Sequence, residues 1–280
     1  MTGDTSTIVL NKSHYTGNGR YSYRFPSGNV NIHSESKICL SSLTLPYSWF
    51  NIRASYGNNT FTISFPKSGG MTNTLVTIDD GFYSVSDLNN FIKRKMVNMK
   101  YYMIDSSGSF VYFLEIVTNP TYYANQIICY SVPTAAQIGA LGYTVPAGYS
   151  HGPTAFCPIL ILPEGLGKFL GFLPAQYPTG ATVGNLDFLS NIIPLGSTVN
   201  SVAIRCNIIN NKLSSPSDVL DSIPINSIFG SNINYLPNFE RWISLSQGTY
   251  SSIEISLQDQ NFNALPMTDS ESIITLMIRQ

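Results

Sequence analysis

The sequence predicts an all-β fold of the sandwich or jelly-roll kind. Apolar residues recur at every second position in many short runs, Gly, Pro, Asn and Asp punctuate the gaps, and one segment alone carries a full helical period.

Residues 8–10 form a first short apolar run. The run at 38–45 changes parity, from Ile38 and Leu40 to Leu43 and Leu45, as a β-bulge would make it do. Phe61, Ile63 and Phe65 alternate with Thr60, Thr62 and Ser64, giving one apolar and one polar face. Residues 75–78 add another strand. The helix is predicted at about 84–97: Ser84 and Asp87 form a capping box, and Leu88, Phe91, Ile92 and Met96 follow on one face. Runs at 110–117, 127–132 and 158–162 continue the strand series, and a shorter helical turn is expected at 166–170. Val202, Ile204, Cys206 and Ile208 alternate with polar or small residues, as do Ile253, Ile255 and Leu257, and then Ile274, Leu276 and Ile278. No linker or repeat divides the chain, so 1–280 reads as a single domain. The Gly-, Pro- and Tyr-rich stretch at about 133–157 reads as a long exposed loop or insertion; loops of that length usually serve a function.

Composition narrows the function. Hydrophobic residues make up 43% of the 280, enough for a real core, but Asp, Glu, Lys and Arg make up only 11%. Soluble proteins average about 25%. Ser, Thr, Asn, Gly and Tyr fill the polar positions instead, and such a surface sheds water at lower cost than a charged one. An A+T-rich genome would bias composition the same way. A net charge of −1 argues against nucleic-acid binding driven by phosphate contacts, which needs a basic face. The cluster Lys93, Arg94 and Lys95 reads as a solvated helix face. The start lacks a signal-peptide layout, and no apolar run is long enough for a membrane span. Cys39, Cys129, Cys157 and Cys206 show no CxxC spacing and read as free thiols of a protein made in a reducing compartment.

No catalytic, cofactor or metal motif emerges. His14, His33 and His151 are isolated in sequence. Gly165-Leu166-Gly167-Lys168 lacks the spacing and the Ser or Thr of a phosphate loop. Ser34 and Lys37 match SxxK without its partner motifs. Asp79, Asp80 and Asp259 could ligate calcium, but acidic turns more often organise their own backbone. Tyr47, Trp49, Phe50 and Asn51, with Trp242 further on, have two readings: core, because large rings bury well, or inter-subunit anchors, because such residues dominate interface hot spots.

Several stretches resemble the penton proteins of virophages and Polinton-like viruses, of the mavirus kind. They are LSSLTLPYSWFNI at 40–52, IDDGFYSVSDLNNFI at 78–92, LGFLP at 170–174, VNSVAIRCNIINN at 199–211 and IEISLQDQNFNALPM at 253–267. The resemblance implies a single jelly roll of two four-stranded antiparallel sheets, and a minor capsid protein without catalytic residues or cofactor. It implies a homopentamer at the five-fold vertices of the virion, assembled inside the infected cell and contacting the double-jelly-roll major capsid protein and other minor capsid proteins. The alternative is a β-sandwich module that binds a glycan or host receptor, with Tyr143 and Tyr149 of the long loop as contact residues.

Overall fold

A computed structural model describes residues 5–280. In chain order its main elements are β1 (Thr5–Leu10), β2 (Arg20–Arg24), β3 (Lys37–Pro46), β4 (Thr60–Lys67), β5 (Gly70–Thr77) and α1 (Val85–Asn98). Next come β6 (Leu114–Asn119), β7 (Ala124–Cys129), α2 (Ala135–Leu141), β8 (Ile159–Leu162), α3 (Glu164–Leu170), β9 (Ala175–Tyr177) and β10 (Leu186–Leu189). The chain closes with β11 (Ser201–Cys206), β12 (Val219–Pro224), β13 (Asn232–Tyr235), β14 (Ser252–Gln258) and β15 (Ile273–Arg279). Two compact units result: one takes the chain up to Trp49 and again over Val199–Gln280, the other is Phe50–Thr198.

The first unit is a jelly roll. One sheet has the order β1-β15-β3-β13 and the other β12-β11-β14-β2, with every pair antiparallel. Among the eight strands of these two orders, first pairs with eighth, second with seventh, third with sixth and fourth with fifth. That is a long antiparallel ribbon rolled into two sheets, the jelly-roll path. Two short strands extend it, Ile243–Ser244 beside β3 and Tyr15–Gly17 beside β2. Alternation decides the faces: Val202, Ile204 and Cys206 of β11 and Ile253, Ile255 and Leu257 of β14 are buried. In β3, Thr275 stands opposite Ser42 and Leu276 opposite Leu40, so Ser41 is the extra residue of a bulge. The bulge turns Ile38, Leu40, Leu43 and Leu45 all inward despite the change of parity. Asp221 on β12 ties the sheets together. Its buried carboxylate accepts from Arg241 Nη1 at 2.8 Å and from the Tyr235 hydroxyl of β13 at 3.1 Å.

The connection between β3 and β11 is far longer than a loop. The whole of Phe50–Thr198, which includes the stretch at about 133–157, stands between the third and fourth strands of the jelly roll as a compact unit. Strand alternation reads the same in both units, and only long-range pairing separates them. The second unit has two larger sheets of its own, β9-β8-β4-β5 and β6-β7-β10, and a short ribbon of Met103–Ile104 with Phe110–Val111. α1 begins at the Ser84–Asp87 capping box and buries Leu88, Phe91, Ile92 and Met96, as its spacing predicts. Asn89 on α1 accepts the Ile116 amide of β6 at 3.0 Å, fixing the helix to that sheet.

The segment 133–157 is not simply an exposed loop. It holds α2, capped by Thr134 and Gln137, and Tyr143, Val145 and Tyr149 pack against the unit's core. Gly165 and Gly167 have packing reasons. A Cβ on Gly165 would lie 2.3 Å from the Gly57 carbonyl oxygen, and one on Gly167 would lie 2.6 Å from that of Phe172. Close backbone approach explains these glycines without a phosphate.

Candidate functional site

The five residues singled out as interface candidates fall into different surroundings. Tyr47 and Trp49 lie in the core of the first unit at 5% and 1% exposure, with ring centroids 4.6 Å apart. Asn51, 2% exposed, is a staple of the second unit. Its side chain donates to the carbonyls of Tyr83 at 2.9 Å and Gly196 at 3.0 Å, and accepts the Tyr83 amide at 2.8 Å. Buried inside their own chain, these three offer no contact surface to a partner. Their size and hydrogen-bonding capacity serve the core, one of the two readings of the motif. Phe50 and Trp242 remain half-buried. The Trp242 indole donates to Glu240 at 2.9 Å, and the Arg279 guanidinium lies 4.5 Å from its ring centroid.

The surface that does stand out is the outward side of the sheet β1-β15-β3-β13. The register places three cross-strand rows there: Val9–Thr275–Ser42, Thr7–Met277–Cys39 and Ile273–Thr44–Asn234. None of the nine is Asp, Glu, Lys, Arg or His, and Cys39, on this side by strand parity, is itself fully buried. Val9 and Ile273 are 48% and 50% exposed. Charge flanks these rows: Thr5, Arg279 and Lys37 form the next row at one end, and the exposed Lys12–Glu271 pair lies just beyond β1 and just before β15 at the other. Near the edge strand β13, Ile228, Leu236 and Phe239 are strongly exposed.

The outward side of the other sheet is built from charge. Arg20, Ser256 and Arg205 form one row, and Ser22 faces Glu254 in the next. Arg205 makes a two-pronged pair with Asp218, at 2.8 and 2.7 Å, and donates to Gln258 at 2.9 Å. Such a fork holds the guanidinium in one geometry over the sheet.

Among the described residues no group of three or more His, Cys, Asp or Glu could hold a metal ion. Asp80 accepts the Ala54 amide at 2.8 Å, and Asp259 accepts the amides of Asn261 and Asn263, so both organise turns. All four cysteines are free and buried. Burial pushes the Cys39 thiol up to about 11 and that of Cys206 to about 12. Burial, with the nearby Asp221 carboxylate, also raises the Tyr235 phenol above its ordinary value. Asn58, a glycosylation sequon by sequence, is buried and spends its side chain on the Asn51 carbonyl and the Arg53 amide.

The uncharged face was absent from the candidate residues, although a signal for it existed. The polar positions of the alternating strands there are Thr, Ser and Asn rather than Lys or Glu.

The fold and these faces define a jelly-roll protein with a large unit inserted between its third and fourth strands. No family model matches the chain, and no curated protein matches it in sequence. Among solved structures the chain is similar to the crystal structure of the selenomethionine-labelled mavirus penton protein. The identity is 11%, the match covers 99% of this chain and 98% of that one, and the TM-score is 0.46. It is also similar to a chain of the cryo-EM structure of the Sputnik virophage, with 10% identity, 98% and 97% coverage and a TM-score of 0.40.

Proposed function

We propose that the chain is a structural capsid protein, a penton subunit that forms homopentamers at the five-fold vertices of an icosahedral virion. Its partners in this reading are further copies of itself, the double-jelly-roll major capsid protein and other minor capsid proteins. It assembles in the infected cell, resides in the virion and works by contact rather than by catalysis. The observation that carries the reading is the uncharged outward face of β1-β15-β3-β13 on a jelly roll of complete strand order. The sequence stretches at 40–52, 78–92, 170–174, 199–211 and 253–267, which resemble penton proteins, point the same way.

A closed ring of five is heterologous, so each subunit meets its neighbours with two different faces. Every face that joins must lose water. Thr, Ser, Asn, Val, Ile and Met lose it at far lower cost than ionised groups. Charge depletion with exposed apolar side chains at the edge is the composition of an interface core.

Native mass spectrometry and negative-stain microscopy of the purified chain test this. Ring-shaped particles of five subunits are expected. A monomer at high concentration across salt and pH, together with absence from purified virions, would overturn the reading.

A further inference from the structure

The second unit contains two adjoining grooves that share Tyr112 as a wall. The larger, about 720 Å³, lies along α1 and is open to solvent. Lys93, Arg94 and Lys95 line it with Asp79 as its one carboxylate. Helical spacing sets the cations around Phe91: Lys95 is 5.0 Å and Arg94 5.9 Å from that ring's centroid. Lys93 is paired with Glu115 and lies 5.4 Å from the Tyr112 centroid. Among the described residues, no carboxylate lies within ion-pair distance of Arg94 or Lys95. Asn90 and Asn98 add amides, and Phe110, 48% exposed, adds an aromatic face.

The second groove, about 430 Å³, is uncharged. Tyr112, Tyr130 and Tyr143, all half-buried, supply rings over a floor that the buried Phe113 closes, and Ser131 and Asn185 supply polar groups. Ser131 Oγ accepts the Gly184 amide at 2.8 Å, which leaves its own proton to donate. Asn185 uses its carbonyl oxygen on the Ser131 amide at 3.0 Å, and its amide nitrogen can still donate.

We infer that the two grooves form one site for an oligosaccharide bearing an anionic sugar. The charged sugar lies against α1, and the neutral sugars run past Tyr112 toward Tyr143. A pyranose has an apolar C–H face and a rim of hydroxyls. Aromatic rings take the first, and amides and hydroxyls take the second. A carboxylate or sulfate takes the guanidinium of Arg94 and the ammonium of Lys95 through charge-assisted hydrogen bonds. An extended nucleic acid would need cations in register along its backbone, and the second groove offers none. The inference stands apart from the vertex reading, because both grooves belong to the single chain.

Calorimetric titration of the full chain with 3′-sialyllactose and with a heparin tetrasaccharide tests it, with lactose, hexaglutamate and oligothymidylate as comparisons. Saturable binding of at least one acidic oligosaccharide is expected, with lactose weaker by about tenfold or more, the worth of one charge-assisted hydrogen bond. Which one binds separates a carboxylate from a sulfate source. The double variant Arg94→Gln/Lys95→Gln and the single variants Phe110→Ser and Tyr143→Ser each weaken binding, while Arg20→Gln in the jelly roll does not. All these side chains are exposed or half-buried, and unchanged circular dichroism verifies the fold. The inference is overturned if neither acidic oligosaccharide binds at millimolar concentration, if the variants bind as well as the parent, or if hexaglutamate or oligothymidylate binds as tightly.

Discussion

The two outward faces of the jelly roll share a backbone plan and differ in almost everything else. Both are twisted antiparallel sheets whose inner sides are apolar. On one, the outward rows are Thr, Ser, Asn, Val, Ile and Met; on the other, Arg20, Arg205 and Glu254 stand among serines, with Asp218 and Gln258 locking Arg205 in place. Burying the second face in a partner would strip water from several ionised groups, each costing several kcal/mol before pairing recovers any of it. Burying the first costs little and gains roughly 25 cal/mol for each Å² of apolar surface. The same fold can therefore assign one sheet to a neighbour and the other to solvent through the outward residues alone.

The largest expected effect comes from placing a charge on the uncharged face. Thr275→Glu, at the centre of that face, should abolish pentamers in native mass spectrometry while leaving the thermal midpoint of the subunit nearly unchanged. Ser256→Glu, its counterpart on the charged face, should leave pentamers intact. If Ser256→Glu breaks the ring and Thr275→Glu does not, the two faces have exchanged roles.

Stability should respond in the opposite sense. Asp218→Ala removes two of the hydrogen bonds that hold the part-buried Arg205, and should cost about 1–2 kcal/mol in urea unfolding. Thr275→Val on the other face should stay within about 0.5 kcal/mol. An Asp218→Ala variant as stable as the parent would show that its ion pair is solvated and adds nothing, as many surface pairs do.

The thiols distinguish outside from inside more finely. Cys39 sits opposite Met277 on the outward side by strand parity, and Cys206 points into the core. Burial raises both thiols, to about 11 and about 12, so at pH 8 neither is appreciably ionised. Labelling by a thiol reagent should be slow for both, with Cys39 reacting first, because uncovering it needs only surface side chains to move. Equal rates, matching global unfolding, would mean that Cys39 is as much part of the core as Cys206. The smallest effect is expected for Asn234→Ala, which removes the exposed Thr44 contact of 3.1 Å and should change stability by less than about 0.5 kcal/mol.

Much of this architecture is legible in the residues. The alternation of Val202, Ile204 and Cys206, the parity change in β3 and the Ser84–Asp87 cap all appear in the structure in the form their spacing predicts. Three of the eight jelly-roll strands are not so easily read. β2 alternates Arg, Tyr and Ser without an aliphatic residue. β12 contains Asp221 and Pro224, and a bulge between Ile204 and Arg205 breaks its register with β11. β13 is a four-residue edge strand. In each, hydrogen bonding to a longer neighbour holds a segment that its own propensity would not. The aromatic cluster is the converse case: Tyr47 and Trp49 announce a large buried area, but whether a core or a neighbouring subunit covers them is a question of position.

The jelly roll itself was predicted, and it marks the boundary between the two kinds of information. Local sequence determined that the chain would be β-rich, which side of most strands would be apolar, where the main helix would start and that the surface would carry little charge. Those properties depend on residues a few positions apart. Tertiary structure alone decided that β1 pairs with β15, that Phe50–Thr198 forms its own unit, and that the uncharged positions of separate strands align in one sheet face. Such pairings join segments at opposite ends of the chain, and a period of two is the same whichever strand lies alongside.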